Sequence, residues 1–129
     1  MKKEAVIVGI TIVLIFVGNF IIQKYSKWAV GTTTQELDEL RKIISGENIK
    51  QQNVKEKIDE IHENWDKKYI VMAFFVEHNE LEKVETELTG LRSSIEEEEY
   101  SEALNELARA EYILKHIEEK NKLSWKNLF

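Results

Sequence analysis

The chain contains no cysteine and no proline, and only five glycines in 129 residues. Without cysteine there is no disulfide framework, no thiolate metal site and no cysteine nucleophile. Without proline, and with its few glycines scattered, the chain has few helix breakers, so long helices can run uninterrupted. No glycine-rich phosphate loop is present, and no serine stands in a nucleophile-elbow context. Positive charge is also in short supply: the formal net charge is -6, which gives no basic face for a nucleic-acid partner. The length allows one domain and excludes a fold as large as a (β/α)8 barrel.

What is present begins with a long apolar run. After Met1-Lys2-Lys3-Glu4, residues Ala5 to Ile22 carry no charge. At the α-helical rise these 18 residues reach about 27 Å, close to the thickness of a bilayer's hydrocarbon core. The run is apolar on every side, unlike the one-sided helix of a globular core. Tyr25 and Trp28 follow it, as aromatic side chains do at a membrane interface. A cleavable signal has a shorter apolar stretch, about 7–15 residues, ending in a small-x-small site. Ala29-Val30-Gly31 lies too far past the run, so an uncleaved single-pass anchor is expected, in contact with lipid through residues 5–22. Lys2 and Lys3 on one side balance Lys24 and Lys27 on the other. The short lysine-led tail resembles an export signal's first region, which places the N-terminus in the cytoplasm and the following domain outside. Asn19, Gln23 and the Ala5-x-x-x-Gly9 step are candidates for contact with another membrane helix.

The average charge hides a division. Residues 1–29, the expected anchor, hold four lysines against one glutamate; residues 30–129, the expected helical domain, hold 14 basic and 23 acidic residues. In that domain apolar side chains recur at steps of three and four, the period of a helix. Thr33 and Glu36 fit a capping box that starts a short helix ending at Gly46. A second helical stretch runs from Glu47 through Val54, Ile58, Ile61 and Trp65. Its continuation to Ile95 would span about 70 Å at the helical rise, so a break is expected near Asn64–Lys68. The run Ile70–Val76 is apolar on all sides and reads as buried helix. It leaves open burial inside the bundle or against a second copy, so a homo-oligomer stays open.

The two C-terminal helices can be registered against each other. Leu81 pairs with Ile113, Val84 with Ala110, Leu88 with Leu107, Leu91 with Leu104 and Ile95 with Tyr100, with the turn near Glu97. The expected fold is therefore all-α: an N-terminal transmembrane helix followed by a small antiparallel bundle ending in an αα-hairpin. The same register brings His78 level with His116, a pair that would suit a metal ion or a pH sensor. The ordinary reading of both is a boundary histidine hydrogen-bonded to carboxylates, and no metal or other cofactor is expected. Asp59-x-x-His62 resembles half of a di-iron bundle motif, which needs two such steps and further glutamates. If the helices run out, back, out and back from the anchor, Trp28, Trp65, Trp125 and Phe129 lie together near the membrane.

One family shares this pattern. A lysine-led anchor is followed by a helix ending in Trp65 and an H-x-E-L-x-x-V-x-x-x-L-x-x-L segment from His78 to Leu91. An acidic turn then leads to Glu102-Ala-Leu, Leu-Lys-His-Ile at 114–117 and a closing Asn-Leu-Phe at 127–129. Over nearly the whole chain this resembles the small bacterial membrane proteins catalogued as domain of unknown function 4363. The resemblance implies a single-span, mostly helical protein and supplies no catalytic residue. The function expected from the residues is non-enzymatic: an anchored interaction or scaffold module that binds another membrane or envelope protein. The alternative is a pH-, metal- or ligand-sensing domain built on His78 and His116.

Overall fold

The computed structural model describes residues 1–128, with side chains through Leu123. Among them there are four helices: α1 (Lys2–Ile44), α2 (Gln51–Met72), α3 (His78–Glu96) and α4 (Tyr100–Leu128). Each helix packs on its neighbours in chain order, and α4 closes against α1; the diagonal pairs α1–α3 and α2–α4 do not meet. The result is an up-down-up-down four-helix bundle.

α1 is a single unbroken rod of 43 residues, about 65 Å long at the helical rise. From Ser26 onward it buries Ser26, Ala29, Val30, Thr33, Leu37, Leu40 and Ile44 at three- and four-residue steps, the stripe that a bundle helix needs. Before that point no residue is buried, and Val6 through Ile21 stand out as large exposed apolar side chains. The bundle therefore begins inside the helix that carries the apolar run. α1 passes residues 29 and 30 without a break, and both are already in the core.

The capping box expected at Thr33 does not form, because the helix does not start there. Thr32 and Thr33 instead donate their hydroxyls to the carbonyls of Trp28 and Ala29 one turn back, at 2.9 and 2.8 Å, the usual arrangement of threonine inside a helix. The break expected near Asn64–Lys68 is also absent: α2 runs straight through to Met72. The chain turns after it, at Ala73–Val76, so only the first three residues of the apolar run Ile70–Val76 are helical. Gly46 and the Glu97 region do fall in turns.

The last turn of α3 closes as a Schellman motif. Glu99 N–H donates to Ser94 O at 2.8 Å and Glu98 N–H to Ile95 O at 3.1 Å, the 6→1 and 5→2 bonds of that motif. Glu98 takes the left-handed conformation that this requires, at φ 58°, a position where glycine is the ordinary occupant. Gln51 ties this distal end together: its amide donates to Ile95 O at 2.6 Å and its carbonyl accepts from the Tyr100 hydroxyl.

The α3–α4 hairpin buries Leu81, Val84, Leu88, Leu91 and Ile95 against Ala103, Leu107, Ala110, Leu114 and Ile117. Tyr100, Leu104 and Ile113, which the sequence pairing places inside, sit half-buried at the edge of the core. The cross-helix contacts Glu87–Arg109 and Ser94–Glu106 put the partners further along α4 than that pairing did. The reason is α1. The α4 stripe has to meet both α3 and α1, so the helix turns its Leu114–Ile117 edge inward and its Ile113 edge toward the rim.

Candidate functional site

The helix directions bring three regions to one end of the bundle. Gln23, next after the apolar run, donates its amide to Asn121 O at 2.8 Å, and the Asn121 amide donates to Ser26 Oγ at 2.6 Å. Tyr25 packs edge-on against Phe75 with ring centroids 6.3 Å apart. The start of the packed half of α1, the α2–α3 turn and the end of α4 thus share one level, the base of the bundle. Gln23 is engaged within its own chain, as is Thr11, whose hydroxyl bonds to Ile7 O at 2.8 Å.

Just above the base lies the most buried charge in the bundle. Lys68 is 5% exposed, and burying an ammonium without partners would be costly. Its Nζ donates to Thr33 Oγ1 at 3.0 Å and Glu36 Oε1 at 3.3 Å, and it stands 5.4 Å from the centroid of the Trp28 ring, a cation–π geometry. Asn64 adds a bond to the other Glu36 oxygen at 3.1 Å. Trp28, Glu36, Asn64 and Lys68 line, with Tyr25, Thr32 and Lys67, a groove of about 370 Å³ between α1 and α2.

The expected aromatic layer divides. Trp28 is 54% exposed beside Tyr25 at the base. Trp65 is fully buried in the core, with its indole edge against Tyr69, so its ring does not reach the bundle surface. The stripe that carries Val54, Ile58 and Ile61 inward carries Trp65 with them. The Trp125 side chain and Phe129 lie outside the described residues.

The two expected histidines are not brought together. His78, the first residue of α3, is turned toward α2: its ring nitrogens face the Tyr69 hydroxyl at 3.2 Å and Glu82 at 2.8 Å. His116 is exposed on α4, on the side away from buried Leu114 and Ile117. The histidine that sits among carboxylates from two helices is His62. Its Nε2 is 2.5 Å from Glu85 and 3.9 Å from Asp66, and one ligand atom from each lies within 4.8 Å of the others. Two ligands on one tetrahedral zinc ion, each about 2.1 Å from the metal, stand roughly 3.4 Å apart. The His62–Glu85 separation is that of a direct hydrogen bond, so as placed these groups pair with each other. The i, i+4 step from His62 to Asp66 was visible in the sequence; Glu85 comes from α3 and needed the α2–α3 packing.

Elsewhere carboxylates are tuned by their surroundings. Burial pushes Glu106 and Glu111 above the ordinary glutamate range, against the pull of Ser94 on the first and Arg41 on the second. The hydrogen bond from Lys120 lowers Glu77 and raises Lys120 in turn. On the outer face of the hairpin Tyr112 is 74% exposed. It borders an open groove of about 330 Å³ with Glu87, Ala108, Arg109 and Ile113.

A family model described as domain of unknown function, DUF4363, matches residues 20–128. The chain belongs to the DUF4363 family. The match takes in the whole bundle and only the last residues of the apolar run. No curated protein and no solved structure matches the chain.

Proposed function

We propose that this protein is a single-pass membrane protein whose bundle is a non-enzymatic interaction module, presented outside the cytoplasmic face to another membrane or envelope protein. The observation that carries the reading is α1. Its first half is an apolar helix with no buried residue, and it continues without a hinge into the core of the bundle. A helix that is apolar on every side is stable in lipid, where no polar face is needed. The unbroken junction then fixes the bundle's height and orientation above the bilayer, as a module that meets a partner in the same membrane requires.

For the partner-facing surface, the groove beside Tyr112 is the part of the bundle that resembles a protein contact. It combines an exposed aromatic side chain with an arginine, the pairing favoured at binding hot spots. A photo-crosslinking amino acid placed at position 112 of the full chain in its own membrane is expected to give a discrete adduct, with none from position 97 at the distal turn. A membrane-inserted protein that gives no adduct from 112, or equal adducts from both, would overturn the partner reading. A reporter active only outside the cytoplasm, fused after residue 129, tests orientation; an inactive fusion would reverse it.

A further inference from the structure

The α2–α3 turn is an anomaly for a water-exposed bundle. Its tip, Phe74, is 87% exposed, and the preceding Ile70 and Val71 are 67% and 41% exposed. Loops at the water-facing end of a bundle are polar as a rule, and the turns at the distal end are: Ser45-Gly46-Glu47 and Glu97-Glu98-Glu99. Only the turn at the base is apolar.

Its height explains the difference. Phe75, next to Phe74, packs on Tyr25. Tyr25 lies three residues past Ile22, about 4.5 Å along the helix axis. The headgroup layer of a bilayer is roughly 5–7 Å thick on each side. The α4 backbone agrees on this level: Asn121 meets Gln23, and the helix continues seven residues beyond Asn121, to Leu128.

We propose that the α2–α3 turn is a second membrane contact, with Phe74, flanked by Ile70 and Val71, seated in the interfacial layer of the same bilayer that α1 crosses. This rests on α1 being the membrane span. Aromatic and aliphatic side chains gain by leaving water at this depth, and a helix without a hinge holds the turn against the surface. Lys24 and Lys27 lie at the same level on α1, where they suit an anionic headgroup.

The test uses the absence of native cysteine. Single nitroxide labels are placed on F74C, V13C and E97C in the full chain, reconstituted in nanodiscs of phosphatidylcholine with phosphatidylglycerol. Collision with oxygen reports lipid, and collision with a water-soluble nickel chelate reports solvent. The label at 74 is expected to meet oxygen readily, with nickel access about tenfold below that at 97. In V71C carrying F74D, the label at 71 should shift toward water while helicity is unchanged. Equal nickel access at 74 and 97, with the label at 13 still in lipid, would overturn this inference and leave the anchor standing. Nickel access at 13 would overturn the anchor itself. A label at 74 shielded from both reagents and broadened by a neighbouring spin would mean that a second copy covers the turn, and would also overturn it.

Discussion

The two halves of α1 share one backbone helix and have opposite surfaces. Residues 5–22 hold no buried residue and are apolar on all sides, whereas residues 26–44 bury a single stripe and turn Asp38, Glu39 and Lys42 outward. An amphipathic stripe suits a helix between protein and water; a uniformly apolar surface suits a helix with one surrounding phase. The same helix therefore states where one environment ends and the next begins, and the change falls within about one turn, between Ile22 and Ser26.

Substitutions in the two halves should separate insertion from folding. In the apolar half, V13K should weaken membrane association, since a lysine in the middle of a spanning helix costs about 2.5–3.5 kcal/mol on insertion scales. It should leave the bundle's thermal midpoint unchanged. In the packed half, L37A should do the reverse: a destabilisation of about 2–5 kcal/mol, read by urea unfolding, with the membrane fraction retained. If V13K lowers the midpoint as L37A does, the two halves are not independent.

The polar cluster inside the packed half gives the next largest effect. Removing Lys68 leaves the Glu36 carboxylate without its cation, so K68A should destabilise by about 3 kcal/mol. The double variant K68M with E36Q should recover most of that in a double-mutant cycle, because the desolvated pair then disappears as a unit. Trp65 separates the core from the base by spectroscopy: its emission should resist acrylamide quenching in detergent, while Trp28 should be quenched. W65F should cost less than W65A, since the buried indole nitrogen has no hydrogen-bond partner to lose among the described residues.

Smaller effects lie at the distal end and on the hairpin. E98G should raise stability by about 1 kcal/mol, because it removes a side chain from a left-handed position. Thermal unfolding checks it, and no gain would mean that the turn relaxes without cost. For Glu106 and Glu111 the folded protein holds the proton more tightly than the unfolded chain does. Their contribution is full below the ordinary glutamate range and is lost as pH rises through the folded values. E106Q should flatten that decline. Glu77 acts the other way: its stabilising pair with Lys120 is present above the ordinary range and is lost on acidification, so E77Q should reduce the stability lost at low pH.

The errors made from sequence are instructive because they coincide in space. Thr32–Thr34 and Asn64–Lys68 each look like an interruption, since each is a polar cluster between apolar stripes. They are neighbours across the α1–α2 interface, where Thr33 and Glu36 satisfy Lys68 and Asn64. Each cluster supplies the partners that the other lacks, so both helices continue. The apolar run Ile70–Val76 misleads in the opposite way. It reads as buried, yet it contains the turn and exposes Phe74, because apolar composition alone does not distinguish a segment packed inside the bundle from one left at its surface. The histidine pairing failed because a hairpin register fixes height and not azimuth; α1 set the rotation of α4, and His116 turned outward.

The sequence by itself determined the helical class, the apolar first segment of α1, the stripes that form the core, and the turns at Gly46 and Glu97. These depend on local propensity and on period, which are written residue by residue. Tertiary structure decided that α1 is one rod, that Trp65 is core, that His62 meets a carboxylate from another helix whereas His78 meets Glu82 on its own, and that the apolar turn sits level with the end of α1's apolar segment. Each of these depends on contacts between helices, and an interaction between residues 20 or more positions apart leaves no periodic signal in the chain.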